Sequence, residues 1–261
     1  MTAGPELDLA GVSLSFGGVQ ALTDVTLTLS GHTAVGMIGP NGAGKSTLLN
    51  VVSGFYQPTS GVVRFDGEEI TGSAPQRLAR RGLVRTFQTA RLLEDESVVD
   101  NVLLGRERHV RAGALRQLFG APRHRRAERE WRDAAYATLE MMGLLQHSHD
   151  PVSSLSSATR RLVEIARVLQ NEPQVLLLDE PAAGLDAGSR AELAQFLSGL
   201  PAAAGLLLVL VEHDVEIVRR SCPTSVALVA GRVLAHEPTD ALLARADVRA
   251  AYFGGADAVG A

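Results

Sequence analysis

One stretch of the sequence combines glycines, a lysine and a serine at a spacing that suits phosphate binding. Residues 39–46 read Gly-Pro-Asn-Gly-Ala-Gly-Lys-Ser, which fits the pattern G-x-x-x-x-G-K-S. Glycines let the amide groups of a loop converge on one anion, and the N-terminus of a following helix favours negative charge. Lys45, the single lysine among 25 basic residues, would add a point charge on the β- and γ-phosphates. Ser46 would offer its hydroxyl to Mg²⁺.

The residues around this loop predict the elements that position it. Residues 33–38 form an apolar run typical of a buried strand, and residues 47–53 favour a helix that Gly54 ends. A strand, a glycine loop and a helix in that order favour a phosphate site over a plain glycine turn. We therefore expect the nucleotide to be bound by Gly39, Pro40, Asn41, Gly42, Ala43, Gly44, Lys45, Ser46 and Thr47.

Two further apolar runs end in ionisable side chains. Residues 175–178 are followed by Asp179 and Glu180, and residues 206–211 are followed by an acidic residue and then His213. In open parallel sheets, ligands bind at the carboxyl ends of the strands. The sequence therefore predicts that these side chains lie beside the phosphate loop.

The remaining patterns indicate an α/β protein with a P-loop NTPase (RecA-like) core, an antiparallel β subdomain and an inserted α-helical subdomain. Residues 94–142 favour helix, are rich in charge and contain a break near residues 120–122, and the apolar spacing of residues 162–169 predicts another helix. Three β elements are also predicted. Residues 7–16 and 21–29 would pair through a glycine turn, and residues 62–65 would form an edge strand followed by a turn. Residues 226–229 and 233–236 would form a hairpin.

Composition limits the class of protein. The chain has 261 residues, 46% hydrophobic and 21% charged, with a net charge of −4, which argues against nucleic acid as a partner. Its longest apolar stretch, residues 202–211, is shorter than the roughly 20 residues that span a bilayer. We expect no signal peptide at the N-terminus, and the single cysteine, Cys222, fits a small buried residue in a reducing compartment.

The order of these motifs over residues 7–254 resembles the ATP-binding subunits of ABC transporters. Phe16 stands where that family stacks an aromatic ring on adenine, although it could equally be a core residue. Further matches are Gln88 with the Q-loop glutamine, Leu155-Ser156 with the start of the signature sequence, Gly184-Leu-Asp186 with the D-loop, and His213 with the switch histidine. The resemblance implies ATP hydrolysis by a positioned water.

Shorter motifs and the long helical insert narrow the resemblance to the larger ATPase subunit of branched-chain amino acid importers, a subunit type that also serves related amides and urea. The motifs are Phe16-Gly-Gly-Val, Gly54-Phe-Tyr56, Arg85-Thr-Phe-Gln-Thr-Ala-Arg91, Asp179-Glu-Pro-Ala-Ala-Gly184 and Asp247-Val-Arg-Ala-Ala-Tyr252. The resemblance implies one ABC domain over residues 7–254, with a catalytic core of about 7–88 and 162–236, a helical subdomain of about 89–161, and a flexible tail at 255–261.

The resemblance also implies a role for each site residue. Asp179 would hold Mg²⁺ together with Ser46 and Gln88, and Glu180 would be the general base. Gln88 would sense the γ-phosphate and the metal and link them to the helical subdomain. His213 would contact the γ-phosphate in a closed state.

The implied partners are a second ABC ATPase subunit in a head-to-tail dimer, transmembrane permease subunits and, indirectly, a solute-binding protein. The chain would then be cytoplasmic and peripheral on the inner face of the cell membrane, held there by the permease.

The signature sequence departs from the family pattern. The family has Leu-Ser-Gly-Gly-Gln, whereas residues 155–159 here read Leu-Ser-Ser-Ala-Thr. Ser156, which would touch the ATP of the opposite subunit, is kept, but Ala158 adds a methyl group where backbone is expected to approach closely. We therefore expect this signature to build a weak site, which favours a heterodimer. Two alternative functions remain: a regulatory or weakly hydrolysing ABC ATPase, and a P-loop small-molecule kinase.

Two clusters of charged residues allow more than one interpretation. Nine arginines lie between residues 106 and 132, and they could contact anionic lipid headgroups or the membrane subunit, or form a solvated helix face. His147 and His149 beside Asp150 could bind a metal, but a surface loop is the simpler interpretation.

Overall fold

The computed structural model describes residues 4–86, 92–106 and 122–253, and its strands form two sheets. The strands are β1 (Glu6–Phe16), β2 (Val19–Ser30), β3 (Ala34–Ile38), β4 (Ser60–Phe65), β5 (Glu68–Glu69), β6 (Leu83–Arg85), β7 (Val175–Asp179), β8 (Leu207–Val211), β9 (Thr224–Val229) and β10 (Arg232–Pro238). The helices are α1 (Lys45–Val52), α2 (Pro75–Arg80), α3 (Val98–Leu103), α4 (Pro122–Met141), α5 (Ser157–Leu169), α6 (Ala187–Ala204), α7 (Val215–Ser221), α8 (Thr239–Ala244) and α9 (Ala246–Phe253).

A six-stranded sheet, in the order β10-β9-β3-β8-β7-β6, forms the centre of the core. All of its pairs are parallel except β9 with β10, which form the predicted hairpin. Strands β3 and β8 are buried along their whole length, as expected for strands covered on both faces. The three apolar runs predicted as strands are therefore confirmed, and β3, β8 and β7 are direct neighbours.

A four-stranded antiparallel sheet, in the order β2-β1-β4-β5, packs against the face of the core that carries α1. The predicted pairing of the first two strands is confirmed, with Phe16 opposite Val19 at the turn. The predicted strand at residues 62–65 and the turn after it are confirmed, but the prediction that this strand lies at the edge of the sheet is wrong. The two-residue strand β5 pairs outside β4, with Phe65 opposite Glu68, because the tight turn after Phe65 brings the chain straight back.

The predicted helical insert contains α3 and α4, which pack on α5 through fully buried side chains of Val98, Val102, Leu139 and Val163. The predicted break coincides with the start of α4 at Pro122, where proline suits the first turn of a helix. Residues 87–91, with Gln88, lie outside the described residues, as does the expected tail at 255–261. The division into core and helical subdomain stays a prediction.

Across the described ranges, no helix combines the length and hydropathy needed to cross a membrane.

Candidate functional site

The phosphate loop runs from the end of β3 to the start of α1 and is packed tightly from behind. A methyl group added at Gly39 would lie 2.1 Å from the carbonyl oxygen of Leu228, and one at Gly44 would lie 2.8 Å from that of Ala21. Gly44 also caps α1 at a φ of 101°, a conformation that side chains disfavour. Glycine is therefore needed at both positions, for close approach and, at Gly44, for conformation as well.

Two distant elements hold this loop. The amide of Gly231, in the turn between β9 and β10, donates to the carbonyl oxygen of Ala43 at 2.9 Å, and the amide of Thr23 in β2 donates to that of Gly231 at 2.8 Å. The amide of Gly39 donates to Tyr252 Oη of α9 at 2.6 Å. Sequence reasoning missed both contacts, although it singled out the hairpin turn and the closing motif in which these residues stand.

Lys45 lies inside the loop, with its side chain almost entirely buried. Its Nζ donates to the carbonyl oxygens of Gly39, at 2.6 Å, and Pro40, at 3.1 Å. Burial lowers the pKa of Lys45, and the nearby charges of Glu180 and Asp179 act in the opposite direction. The ammonium group is thus held beside the acidic pair, in a dry setting where an anion would be attracted strongly.

The structure brings together two of the three predicted metal ligands. Asp179 Oδ1 lies 3.4 Å from Ser46 Oγ, at the C-terminal end of β7. A hydroxyl and a carboxylate are hard oxygen donors, and Mg²⁺ is commonly held by one or two carboxylates together with phosphate oxygens. These residues therefore fit magnesium bound with a nucleotide. The third predicted ligand, Gln88, lies outside the described residues, and within them no cluster of three His, Cys, Asp or Glu could hold a metal.

Glu180 has an unusual backbone conformation. Its φ is 49°, in the left-handed region, and its amide donates to the carbonyl oxygen of Val211 in β8 at 2.8 Å. A residue other than glycine adopts this conformation at a cost of about 1–3 kcal/mol, and here it turns the chain directly after β7. The carboxylate borders a cavity of about 270 Å³ that also reaches Arg161 and Glu164, which leaves room for water beside it.

His213 follows β8, and its side chain is 60% exposed. The preceding residue, Glu212, is fully buried. Glu212 Oε1 accepts a hydrogen bond from the amide of Ala182 at 2.8 Å, whereas Oε2 has no hydrogen-bond partner and lies 3.8 Å from His213 Nδ1. Burial raises the pKa of Glu212. The sequence shows a glutamate at the strand end, but its burial is visible only in the structure.

Phe16 is 47% exposed, so the alternative that it is a core residue is wrong. Its ring packs edge-to-face against Tyr56, with centroids 5.2 Å apart. An exposed ring with one edge supported in this way can still offer a face to a planar base. Its role in adenine stacking stays a prediction.

The altered signature begins α5. Ser156 caps this helix, with Oγ accepting a hydrogen bond from the amide of Thr159 at 3.2 Å and lying 2.8 Å from Thr159 Oγ1. The expectation that Ala158 crowds the approach of a partner is wrong, because its methyl group is buried inside this chain. Ser157, which is exposed beside the capping serine, is the substitution that alters the outer surface.

The charged clusters are only partly described. Arg106 is turned inward and donates to Gln170 Oε1 at 3.2 Å and Glu172 Oε1 at 2.9 Å, whereas Arg129 and Arg132 are exposed. The side chains of the other six arginines lie outside the described part of the chain, so both interpretations of that stretch stay open.

Two further predictions concern single residues. His147 Nδ1 lies 2.7 Å from Asp150 Oδ2, an ordinary surface pair. Cys222 is buried, as predicted, and burial raises the pKa of its thiol to about 12.

Comparison with known proteins agrees with this geometry. Residues 22–183 match the ABC transporter family. The chain is 38% identical over 250 residues to the high-affinity branched-chain amino acid transport ATP-binding protein BraF of Pseudomonas aeruginosa, and 36% identical to LivG of Escherichia coli, which has the same descriptive name. Each match covers 96% of this chain and 98% of the relative.

The fold is also similar to solved structures. The ADP conformation of MJ1267, an ATP-binding cassette of an ABC transporter, superposes with a TM-score of 0.80 at 29% identity. The match covers 96% of this chain and 99% of that structure, so the likeness extends over nearly the whole length of both.

Proposed function

Because the chain belongs to the ABC transporter family of ATPases, we propose that it binds MgATP and hydrolyses it to energise an importer of branched-chain amino acids or related amino acids and amides. The observation that carries this proposal is that Asp179, at the end of β7 and followed by Glu180, lies 3.4 Å from Ser46, which follows Lys45 in the phosphate loop. The solute class is supported by the names of the relatives that match over nearly the whole chain.

The phosphate loop would bind the triphosphate. Lys45 would exchange its two carbonyl partners for phosphate oxygens, and the helix N-terminus beyond it would favour their negative charge. Phe16 would stack on the adenine ring. Ser46, Asp179 and Gln88 would hold Mg²⁺, which supplies charge neutralisation on the phosphates when bound.

Glu180 would act as the general base for an attacking water. The hydrogen bond from its amide to β8 holds its backbone beside the adjoining cavity, which Glu180 lines. His213 would contact the γ-phosphate, and its exposure leaves the ring free to move toward it. Positioning and charge stabilisation, rather than covalent chemistry, would supply most of the rate acceleration.

The working unit would be larger than this chain. Ser156 would meet the nucleotide of a second ABC ATPase subunit arranged head to tail, and permease subunits would hold the pair at the inner face of the membrane. A solute-binding protein would contact the permease and not this chain. The exposed Ser157 in place of glycine favours a heterodimer, in which the site built from the partner's signature does most of the hydrolysis.

A weakly hydrolysing ABC ATPase is the second candidate. It is favoured by the capping serine, whose hydroxyl is already engaged by Thr159. Ser157→Gly in the assembled complex should raise steady ATPase activity, while Ala158→Gly, at a buried position, should lower stability without that gain. Equal activity of the wild type and Ser157→Gly would argue against a weakened signature.

The experiment that tests the main proposal uses two active-site variants. Lys45→Ala should lose nucleotide binding, measured with a fluorescent ATP analogue. Glu180→Gln should bind ATP but fail to hydrolyse it, and should accumulate as an ATP-bound dimer on size-exclusion chromatography. Normal turnover by Glu180→Gln would refute the role of general base, and transfer of phosphate to a metabolite would favour a kinase.

A further inference from the structure

Arg85 forms a buried ion pair with the aspartate that would hold the metal. It is the last residue of β6, and its Nη2 donates to Asp179 Oδ2 at 2.9 Å. The side chains of Arg85 and Asp179 are only 10% and 9% exposed. A pair this dry is screened little by salt, so removing one partner would leave the other charge uncompensated.

The ion pair determines which way the carboxylate of Asp179 faces. Its Oδ2 is taken by the guanidinium, and its Oδ1 faces Ser46 Oγ at 3.4 Å. Because the two oxygens of a carboxylate lie in one plane, fixing the first also fixes the direction of the second. The other oxygen therefore faces Ser46 Oγ, at the place where the two groups would share the metal.

The same guanidinium is anchored to the helix that follows the phosphate loop. Arg85 Nη1 donates to Asn50 Oδ1 at 2.6 Å and reaches Ser53 Oγ at 3.4 Å. The guanidinium is a planar fork with its donors at fixed angles, so these contacts on the α1 side set the orientation of the arm that holds Asp179. A lysine could supply the positive charge, but its single ammonium group could not bond Asp179 and the α1 side chains at fixed angles.

The geometry points to Arg85 as a positioning residue for the metal site: it orients Asp179 so that a divalent cation bound with a nucleoside triphosphate meets Oδ1 and Ser46 together. The inference rests on the proposed function, since it assumes that MgATP is the ligand. It assigns Arg85 no contact with nucleotide or metal. Residues that orient metal ligands in this way typically affect metal affinity about 10- to 100-fold.

The test compares the metal dependence of nucleotide binding in the full chain. A fluorescent ATP analogue is titrated without divalent cation, and Mg²⁺ is then titrated at fixed analogue concentration. Arg85→Met should leave metal-free binding within about twofold and raise the half-saturating Mg²⁺ concentration about tenfold. Arg85→Lys should give a smaller rise. Arg106→Met, which removes another largely buried arginine paired with Glu172, is the matched control and should leave both titrations unchanged.

Three outcomes would contradict the inference. An unchanged or lower half-saturating Mg²⁺ concentration in Arg85→Met would show that Asp179 keeps its orientation without the guanidinium. Loss of metal-free binding together with a lower unfolding midpoint would show that the pair only supports the fold. A wild-type chain that binds no nucleotide, or whose binding ignores Mg²⁺, would overturn the proposed function itself, and with it this inference.

Discussion

Replacing Glu212 by glutamine should change how stability depends on pH. The side chain of Glu212 is fully buried, with one oxygen accepting a hydrogen bond from the amide of Ala182 and the other without a hydrogen-bond partner. Burial raises its pKa, and the nearby Glu180 acts in the same direction, whereas His213 acts in the opposite one. Glutamine has the same shape and keeps the acceptor for Ala182, but it carries no proton to lose.

The direction in which stability changes with pH follows from the raised pKa of Glu212. The folded state holds the proton of Glu212 to a higher pH than the unfolded state does, so its contribution to stability is complete below the ordinary pKa of about 4.5. That contribution is lost as pH rises through the folded pKa. Each tenfold by which folding strengthens proton binding at Glu212 is worth about 1.4 kcal/mol, which the wild type loses on ionisation and glutamine does not. Glu212→Gln should therefore gain stability relative to the wild type as pH rises from 5 to 8.

The assay is urea unfolding, followed by circular dichroism, at several pH values between 5 and 8. Glu192→Gln, at an exposed position, is the control and should run parallel to the wild type. Repeating the series in a His213→Asn background removes the imidazole that lies 3.8 Å from Glu212 Oε2. Parallel stability curves for Glu212→Gln and the wild type would refute the argument from burial.

Three further predictions concern the phosphate loop and the thiol. Tyr252→Phe removes the acceptor for the first amide of the loop, and it should weaken binding of a fluorescent ATP analogue severalfold, since a hydrogen bond contributes about 1 kcal/mol. An analogue affinity equal to that of the wild type would contradict this. Gly44→Ala places a methyl group 2.8 Å from the carbonyl oxygen of Ala21 and should lower nucleotide affinity at least tenfold, whereas Gly31→Ala, at a φ of 94° but with open space around the added methyl group, should leave affinity unchanged. Cys222, with its thiol pKa raised to about 12, should not react with iodoacetamide until the chain is unfolded in urea; fast labelling of the native chain, read by mass spectrometry, would show that the thiol is not buried.

Local patterns in the sequence were enough to predict the strands of the central sheet and the phosphate loop. Strands buried on both faces read as unbroken apolar runs, and the glycine loop between a strand and a helix has few other interpretations. Asp179 and Ser46 could be placed together because strand ends share one edge of the sheet, and the structure puts them 3.4 Å apart.

Contacts between residues far apart in the chain could not be predicted in this way. No local pattern near Arg85 predicts that its guanidinium forms an ion pair with Asp179, 94 residues later in the chain. The burial of Glu212 depends on how the turn that follows Glu180, with the amide of Ala182, folds over it, and the inward direction of the methyl group of Ala158 depends on the phase of α5. These features come from packing, which periodicity alone does not determine.

The contact between Gly39 and Tyr252 has a consequence for synthesis of the chain. The two residues are separated by 213 positions in the chain. Gly231, which donates to Ala43 of the same loop, is also translated long after the loop. A nascent chain on the ribosome has the complete nucleotide motif as soon as Ser46 has emerged, yet both supports of that motif are still to be translated. Full affinity for ATP should thus be acquired only after Tyr252 has been translated, so that nascent chains that stop before Gly231 bind nucleotide more weakly than the chain that includes both supports.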